Sequence, residues 1–279
     1  ITEEKVTAIE NGGIDKVSYV NASSGVTASL FTKTGTAGWA AGDTYDGISN
    51  LQGSQFDDVL TGDSGDNYLL GAGGRDRLNG RAGNDLLSGG DGNDILVGSA
   101  GGDINAGGLG DRDAIDFSRS RGAVELSLEL GNGWLGEASN DTFIDIEYVY
   151  GSAFNDTIGG DGEINRLIGN DGDDVIEAGG GNDYVLGGGG ADTMTGGDGR
   201  DVFVLEAAFG NDTVTDFSAG KGLGDRLWFQ DLGFDDFADV LANAVDTAGG
   251  VAITVAGHGV ATLAGLTVAQ LAADDFLFA

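Results

Sequence analysis

Aspartate recurs in this chain at intervals that could place carboxylates in a column. Between Gly53 and Ala106 the sequence divides into six consecutive lines of nine residues: GSQFDDVLT, GDSGDNYLL, GAGGRDRLN, GRAGNDLLS, GGDGNDILV and GSAGGDINA. Every line opens with glycine and has Asp or Asn at its sixth place, and all but the last have leucine at the eighth. The sixth-place residues are Asp58, Asn67, Asp76, Asp85, Asp94 and Asp103. Acids repeated at one place of a short repeat are candidates for binding cations.

The same pattern returns from Gly151 in the lines GSAFNDTIG, GDGEINRLI, GNDGDDVIE, AGGGNDYVL, GGGGADTMT and GGDGRDVFV. Their sixth-place residues are Asp156, Asn165, Asp174, Asp183, Asp192 and Asp201. Each of these lies 98 residues after its counterpart in the first block, and even the two asparagines correspond. The chain therefore contains an internal duplication, which indicates a repeat architecture.

The elements that position these acids follow from the composition of each line. Glycines at the first, second and fourth places allow a tight turn, because glycine adopts positive φ without penalty. The last three places have room only for a strand of about 10 Å. One aliphatic residue per line, always at the eighth place, gives a single inward-facing column. Two lines then make one coil of 18 residues, and the sequence predicts an all-β fold, a parallel β-roll or β-solenoid in two duplicated modules.

Stacked turns would hold carboxylates about 5 Å apart, where they repel one another unless a cation lies between them. Carboxylates together with glycine carbonyls form an all-oxygen ligand set, which suits Ca²⁺. The chain has no cysteine and one histidine, which argues against zinc. An ion between each turn and the turn two lines later predicts roughly eight calcium ions in the two blocks.

These lines resemble the nonapeptide repeats of the RTX proteins, which form calcium-bound parallel β-rolls. The resemblance covers residues 53–106 and 151–204 and implies that the ligands are the sixth-place residues and main-chain carbonyls of the glycine turns. The mid-block acids Asp76, Asp85, Asp174 and Asp183 are the strongest candidates, since repeats flank them on both sides. The candidate glycines are Gly71, Gly74, Gly80, Gly83, Gly89, Gly92, Gly169, Gly172, Gly181, Gly187, Gly190, Gly196 and Gly199.

Three regions are predicted: residues 1–106 with lead-in strands and the first block, 107–204 with the second lead-in and block, and 205–279 as a C-terminal cap. The lead-ins are expected to form wider coils or caps. Alternation of Val124, Leu126, Leu128 and Leu130 predicts a half-buried strand. Phe56 and Phe154 replace the fourth-place glycine in the first line of each block, and we expect them to plug the end of the roll.

The C-terminal region has features of its own. GNDTVTDF and GDRLWF, from Gly210 and Gly224, resemble the segment that caps the roll in secreted serralysin-type proteases. Asp216 and Asp225 are candidates for a last ion, with ordinary surface acids as the alternative. Residues 235–245 predict a helix capped by Asp235 or Asp236, and a hairpin with His258 in its turn should follow. The final AADDFLFA resembles the uncleaved signal of type I secretion substrates.

Composition limits the classes of function. A net charge of −33 over 279 residues excludes nucleic acid as a partner and disfavours anionic membranes. No apolar run is long enough to span a membrane, and Ile1-Thr-Glu-Glu-Lys5 lacks the apolar core of a signal peptide. Eight calcium ions would offset about half of the charge, so folding should be coupled to metal binding.

The resemblance implies a secreted or cell-surface protein of a Gram-negative bacterium that folds on binding calcium after export by type I secretion machinery. HExxH and GxSxG are absent, so the chain is expected not to be an enzyme in itself. Two alternatives stay open. The chain could be the C-terminal portion of a secreted hydrolase (a protease, a lipase or a polysaccharide-modifying enzyme), or a surface-layer or adhesin module whose partner is a cell-surface or matrix polysaccharide.

Overall fold

The computed structural model describes residues 7–9, 15–220 and 224–278. The segment Ile1–Lys5, on which the signal-peptide prediction rests, lies outside these residues, as does Ala279 of the predicted secretion signal. The chain forms two compact units, Ile1–Ser120 with Gly131–Tyr148, and Arg121–Leu130 with Val149–Ala279. The three regions delimited from the sequence stay a prediction.

Short strands dominate the N-terminal half of the described chain. In order they are β1 Thr7–Ile9, β2 Lys16–Ser18, β3 Thr27–Ser29, β4 Thr34–Ala37, β5 Thr44–Asp46, β6 Asn50–Gln52, β7 Val59–Thr61, β8 Tyr68–Gly73, β9 Arg77–Asn79, β10 Leu86–Asp91, β11 Ile95–Val97, β12 Ile104–Leu109, β13 Ala114–Asp116, β14 Glu125–Ser127, β15 Asn132–Leu135 and β16 Thr142–Ile144. Two 3₁₀ turns, Gly38–Ala40 and Gly136–Ala138, lie among them.

The C-terminal half of the described chain consists of the remaining strands and one short helix. They are β17 Tyr148–Tyr150, β18 Thr157–Asp161, β19 Arg166–Asp171, β20 Val175–Gly181, β21 Tyr184–Gly189, β22 Thr193–Thr195, β23 Asp198–Gly199, β24 Val202–Leu205, β25 Gly210–Val214, β26 Arg226–Phe229, β27 Ala244–Thr247, β28 Gly250–Val255, β29 Gly259–Ala264 and β30 Phe276–Phe278. The helix, α1, is Phe237–Asn243, and 3₁₀ turns at Val268–Gln270 and Ala273–Asp275 precede the last strand.

The first unit is a roll of two parallel sheets. Successive lines of the repeat alternate between them, so β7, β9, β11 and β13 are neighbours in one sheet and β6, β8, β10, β12 and β16 in the other. The pairing register joins residues 18 apart, as in Leu69 with Leu87 and Leu78 with Leu96. Each coil of the roll therefore contains two nine-residue lines, as the sequence predicts.

The second unit repeats this arrangement. One sheet has the order β19–β21–β24–β26–β30, and the other runs β14–β18–β20–β22–β25–β29–β28–β27, with β23 paired to β20. The pairs within the repeat block are parallel, and Leu167 pairs with Val185 and Ile158 with Ile176, again 18 residues apart. The β27–β28–β29 segment at the end of the second sheet is antiparallel.

Leucine fills the core of the first roll because the eighth place of each line points inward. Leu60, Leu69, Leu78, Leu87 and Leu96 are all fully buried. The seventh-place residues point outward, and Val59, Tyr68 and Ile104 are among the exposed large hydrophobic side chains. The alternation confirms the inward column that the sequence predicts.

The lead-in is a mixture of coil and hairpin. Strands β2 and β3 pair in parallel with β6 and β7, which makes them coils of the roll. Strands β4 and β5 instead run antiparallel to their neighbours β3 and β4. The strand predicted over residues 124–130 is shorter than expected, because β14 ends at Ser127. The chain then turns, and Leu130 is 63% exposed.

Two aromatic residues do not have the position expected of them. Phe56 and Phe154 were expected to plug the roll, but their side chains are 46% and 45% exposed. They lie in the turns, at a place whose side chain points away from the core, so this prediction is wrong.

In the C-terminal region, helix α1 has Asp236 as its N-cap, and the Asp236 side chain accepts the N–H groups of Ala238 and Asp239. Strands β28 and β29 form the expected hairpin around His258.

Candidate metal centre

The sixth-place residues lie at the junction between each turn and its strand, and all of them are buried. Asp76 immediately precedes β9, and Asp85 precedes β10; each is 2% exposed. In the second unit Asp174 and Asp183 precede β20 and β21 and are 1% exposed. Burial of so many carboxylates is costly unless each finds polar partners or a cation.

A hydrogen-bond ladder accounts for one oxygen of each acid. The Oδ1 atom of Asp76 accepts the main-chain N–H of Asp58 at 2.8 Å, and Oδ1 of Asp94 accepts that of Asp76 at 2.8 Å. In the second unit Oδ1 of Asp174 accepts from Asp156 at 2.7 Å and Oδ1 of Asp192 from Asp174 at 2.9 Å. The Asp side chain thus connects each turn to the turn one coil earlier.

Each unit contains two such columns, one for each edge of its roll, and the columns extend beyond the nonapeptide blocks. The four columns are Asp58–Asp76–Asp94–Asp113, Asn67–Asp85–Asp103–Asp141, Asp156–Asp174–Asp192–Asp212 and Asn165–Asp183–Asp201–Asp225. The first of them continues by one step, because the N–H of Asp113 donates to Oε2 of Glu147 at 2.8 Å. Asp113, Asp141 and Asp212 were missed as site residues because they follow a changed interval of 19, 38 or 20 residues.

The second oxygen, Oδ2, divides the turns into two classes. In what we term open turns, Oδ2 is buried and has no hydrogen-bond donor. Within the described part of the chain the open turns are those of nine aspartates: Asp76, Asp85, Asp94, Asp113, Asp174, Asp183, Asp192, Asp201 and Asp212. A buried carboxylate oxygen without a donor fits direct contact with a cation.

In closed turns, an N–H or O–H group of the protein donates to the second carboxylate oxygen of the Asp or to the amide oxygen of the Asn. Ser54 N–H donates to Oδ2 of Asp58 at 2.5 Å, and Ser152 N–H does the same to Asp156. The side-chain Oδ1 of Asn67 accepts from Asp63 N–H at 2.7 Å, and Asn165 accepts from Asp161 at 2.8 Å. The side-chain oxygen atoms of the first residue in every column therefore have donors from the protein, while Nδ2 of Asn165 is buried without an acceptor.

The last turns of two columns are also closed. Oδ2 of Asp141 has Asn105 Nδ2 at 3.5 Å, and Oδ2 of Asp225 accepts Ser218 N–H at 2.8 Å. Asp103 accepts Ser99 Oγ–H at 3.0 Å on Oδ2. Of the predicted ligands outside the blocks, Asp216 is exposed and accepts the N–H groups of Gly196 and Gly197, so the protein already supplies donors to both of its oxygens.

Main-chain carbonyls converge on the open oxygens. A Cβ added to Gly71 would strike Asp76 Oδ2 and the carbonyl oxygen of Gly89, and at Gly169 it would strike Asp174 Oδ2 and the carbonyl of Gly187. A Cβ on Gly89 would likewise strike Asp94 Oδ2 and the carbonyl oxygen of Gly107. At Gly80, Gly187 and Gly196 it would strike the Oδ2 atoms of Asp85, Asp192 and Asp201. Each of these glycines thus lies against the Oδ2 atom of an open turn, and Gly71, Gly89 and Gly169 lie against a main-chain carbonyl oxygen as well.

The fourth-place glycines bring carbonyls of successive turns into register. Gly92, with φ of +136°, lies against the carbonyl of Gly74, and Gly190, with φ of +153°, lies against that of Gly172. Gly83, Gly181 and Gly199 also have positive φ and face a carbonyl one coil earlier. Only glycine combines this backbone conformation with so close an approach.

Burial dominates the electrostatics of the open turns. Loss of solvent, together with repulsion from the acids above and below in the column, raises the pKa of Asp76 to about 8 and that of Asp174 to about 7. The pKa values of Asp85 and Asp183 are raised to about 7 for the same reasons. The ionised columns therefore require a compensating positive charge.

The chemistry of the donor set is that of a hard cation. Within residues 7–9, 15–220 and 224–278, no three His, Cys, Asp or Glu side chains group into a metal site. A cation held at an open turn must therefore combine the Asp carboxylate with main-chain carbonyls. Oxygen-only sets of this kind suit Ca²⁺, which accepts six to eight ligands. The residues present fit calcium.

A second, exposed ladder lies beside the first and was not anticipated. Asp57 and Asn84, at the fifth place, accept the N–H of Arg75 and Gly102 at 2.8 and 2.9 Å. Asn155 and Asn182 accept those of Asp173 and Arg200 at 3.0 Å each. The signal was present in the sequence as Asp or Asn at the fifth place. This ladder stacks the turns without using the carboxylates of the sixth place.

Overlapping segments, residues 43–78, 70–104, 150–185, 159–194, 168–203 and 178–214, match the family described as RTX calcium-binding nonapeptide repeat (4 copies). No curated protein sequence matches the chain. Among solved structures, the extracellular lipase LipA from Serratia marcescens is similar with a TM-score of 0.35 and 19% identity, over 91% of this chain and 42% of the lipase chain.

The chain thus spans less than half the length of that lipase. In the described part of this chain, no helix is both long and apolar enough to cross a membrane. The matched segments coincide with the two blocks of stacked turns and with eight of the nine open aspartates. Residues 43–104 and 150–214 are therefore similar to the RTX calcium-binding nonapeptide repeats, and the family match identifies these two parts of the chain as repeats of that kind.

Proposed function

We propose that the open turns bind calcium ions and that this binding folds the protein after its export from the cell. The observation that supports the proposal is the set of buried Oδ2 atoms without a donor. Eight of these atoms lie within residues 43–104 and 150–214, so we propose about eight ions in the matched segments. The closed turns of Asp58, Asn67, Asp156 and Asn165 are proposed to hold none of their own.

Coupling of binding to folding follows from charge and burial. An unfolded chain with net charge −33 repels itself. Folding places carboxylates in columns where each needs a positive charge nearby. Calcium bound between turns supplies that charge, and because the unfolded chain has no preformed site, the free energy of binding contributes to the free energy of folding.

The C-terminal segment supports an order of events in which export precedes folding. Strand β30 pairs with β26, and Asp275 and Phe276 are 1% and 5% exposed. A secretion signal in this segment would be readable by type I secretion machinery only before the second unit folds. Low calcium inside the cell would leave it accessible, and millimolar calcium outside would drive folding.

We propose that the arrays themselves are not catalytic. Their sixth-place acids are buried and hydrogen-bonded to the main chain, so they are closed to a substrate. Turnover of ester, peptide or polysaccharide substrates by the purified chain would contradict this part of the proposal.

The test is a calcium titration of chelator-treated protein followed by far-ultraviolet circular dichroism. We expect a cooperative rise in β signal at about 10⁻⁴–10⁻³ M calcium, which equal magnesium does not reproduce. A β spectrum already complete in chelator would contradict the coupling of folding to calcium.

The variant Asp183→Asn connects the titration to the site. It keeps Oδ1 for the N–H of Asn165 but replaces the open Oδ2 with an NH₂ group, so the midpoint should move to about tenfold higher calcium. The control is Asp198→Asn, which removes the same charge from an exposed side chain. Equal shifts in both variants would mean that net charge, and not the open oxygen, determines binding.

A further inference from the structure

The turn that follows the first block has the composition of a repeat with one extra residue. Gly107, Gly108 and Gly110 occupy the first, second and fourth places, Asp111 occupies the fifth, and Arg112 is inserted before the next acid, Asp113. Because of the extra residue, this turn does not fit a strict nine-residue period. The turn also lies outside residues 43–104, which match the repeat family.

The fold absorbs the inserted residue and keeps Asp113 in the column. Asp113 is fully buried, and its Oδ1 accepts the N–H of Asp94 at 2.7 Å, as Asp94 accepts that of Asp76. Ile115 follows at the eighth place, is fully buried and pairs with Leu96. Residues 107–115 therefore form a seventh turn and strand of the first roll.

This seventh turn is open. Oδ2 of Asp113 is buried and has no donor, whereas the last acids of two other columns, Asp141 and Asp225, have Asn105 Nδ2 and Ser218 N–H beside theirs. Among the open aspartates of the described chain, Asp113 alone lies outside the matched segments.

Other oxygens converge on the same place. A Cβ added to Gly110 would strike the carbonyl oxygen of Gly92 and approach both Asp113 carboxylate oxygens, and one added to Gly107 would strike the carbonyl oxygen of Asp145. Gly108 has φ of +114°, close to the +112° of its counterpart Gly90 in the open turn of Asp94. The seventh turn thus presents an oxygen cradle of the same kind as the turns within the block.

We propose that the 107–113 turn binds a further calcium ion through Asp113 Oδ2 and main-chain carbonyl oxygen. The inference rests on the proposed function, since it extends calcium binding to a turn that the repeat pattern omits. Its consequence is that the ion array of the first unit continues past the last nonapeptide, to the strand β13.

The test is the number of calcium ions bound to the full chain, counted by native mass spectrometry in calcium. Asp113→Asn should bind one ion fewer than the wild type, because an NH₂ group replaces the open oxygen. Asp225→Asn is the matched control: Asp225 is also a buried member of a column and accepts a ladder N–H, but its Oδ2 already has a donor. It should bind the wild-type number.

The outcomes separate the two proposals. If the wild type binds calcium but Asp113→Asn keeps the full number of ions, this inference is overturned and the proposed function stands. If the wild type binds none, both fail. A measurement on unmodified protein guards against a variant that does not fold: crystals grown in calcium should give an anomalous difference peak beside Asp113 Oδ2. Peaks beside Asp76 and Asp94 without one at Asp113 would also overturn the inference.

Discussion

The second place of each line determines what happens to the sixth-place carboxylate. Where Ser54 or Ser152 occupies it, φ is not positive and its N–H and hydroxyl donate to the acid. In open turns the second-place residue has a left-handed backbone even when it is not glycine: φ is 90° at Ala72, 79° at Arg81 and 78° at Asn170. The left-handed conformation, which is unfavourable for residues with a Cβ, accompanies an Oδ2 without a donor.

This strain predicts an unusual effect of a glycine substitution. Ala72→Gly should raise the free energy of unfolding in saturating calcium by about 0.5–1 kcal/mol, because glycine loses the steric penalty of the left-handed region. Urea unfolding measures the change. The control is Ala82→Gly, in a third-place residue whose φ is not positive, where we expect a loss of about 0.5–1 kcal/mol. A loss at both positions would contradict the strain at Ala72.

At this scale the sequence predicts which acids are repeated and that they face a cation-binding turn, but not which oxygens are open. Asp58 and Asp76 have the same place in the line, and only the donors supplied by Ser54 distinguish them. Whether a second-place N–H reaches the acid depends on the backbone of the turn. Composition alone does not determine that conformation for Ala72 or Arg81.

Within each strand, the inward-facing residue at the eighth place forms the packed core. The exception to the leucine column is Asn105, which is fully buried and places its Nδ2 3.5 Å from Asp141 Oδ2. The sequence marks Asn105 as an exception, but its partner is 36 residues away, beyond the period of the repeat. A polar residue in the core thus closes the end of one column of acids.

Substitutions at the eighth and the seventh place of a line should differ sharply in how far they lower the free energy of unfolding. Leu87→Ala removes a fully buried side chain between parallel neighbours and should lower the free energy of unfolding by about 2–5 kcal/mol. Ile104→Ala, at the seventh place of a neighbouring strand and 43% exposed, should cost less than about 1 kcal/mol. Both are measured by urea unfolding at one calcium concentration, since bound ions shift stability. Similar losses at the two sites would contradict the inward column.

Elements outside the repeat were harder to predict for a physical reason. The nine-residue lines specify both turn and strand, but the lead-ins have no period that fixes where the chain reverses. Alternation in residues 124–130 therefore suggested a longer strand, while the chain turns after Ser127 and exposes Leu130. The prediction that Phe56 and Phe154, which replace the fourth-place glycine, plug the end of the roll is wrong because that place in the turn directs their side chains outward.

For the molecule as a whole, the balance between charge and burial should make stability depend on pH in opposite ways with and without calcium. Burial raises the pKa of Asp76 and Asp212 from 3.8 to about 8, and those of Asp85, Asp174 and Asp183 to about 7. The folded, calcium-free protein therefore binds more protons than the unfolded chain between these values. The contribution of these groups to the free energy of unfolding is therefore fully present below pH 3.8. It is lost as the pH rises through their folded pKa values, from about 6 for Asp94 to about 8 for Asp76.

We therefore expect chelator-treated protein to gain β signal in circular dichroism when the pH is lowered from about 8 to about 5. Calcium-loaded protein should behave oppositely, because protons compete with the ion for the same carboxylates, so the calcium midpoint should rise as the pH falls. Magnesium at equal concentration is the control for ionic strength. Loss of β signal in chelator over that range would contradict the raised pKa values. A transition confined to about pH 4 would indicate that ordinary exposed acids, and not the buried columns, govern folding.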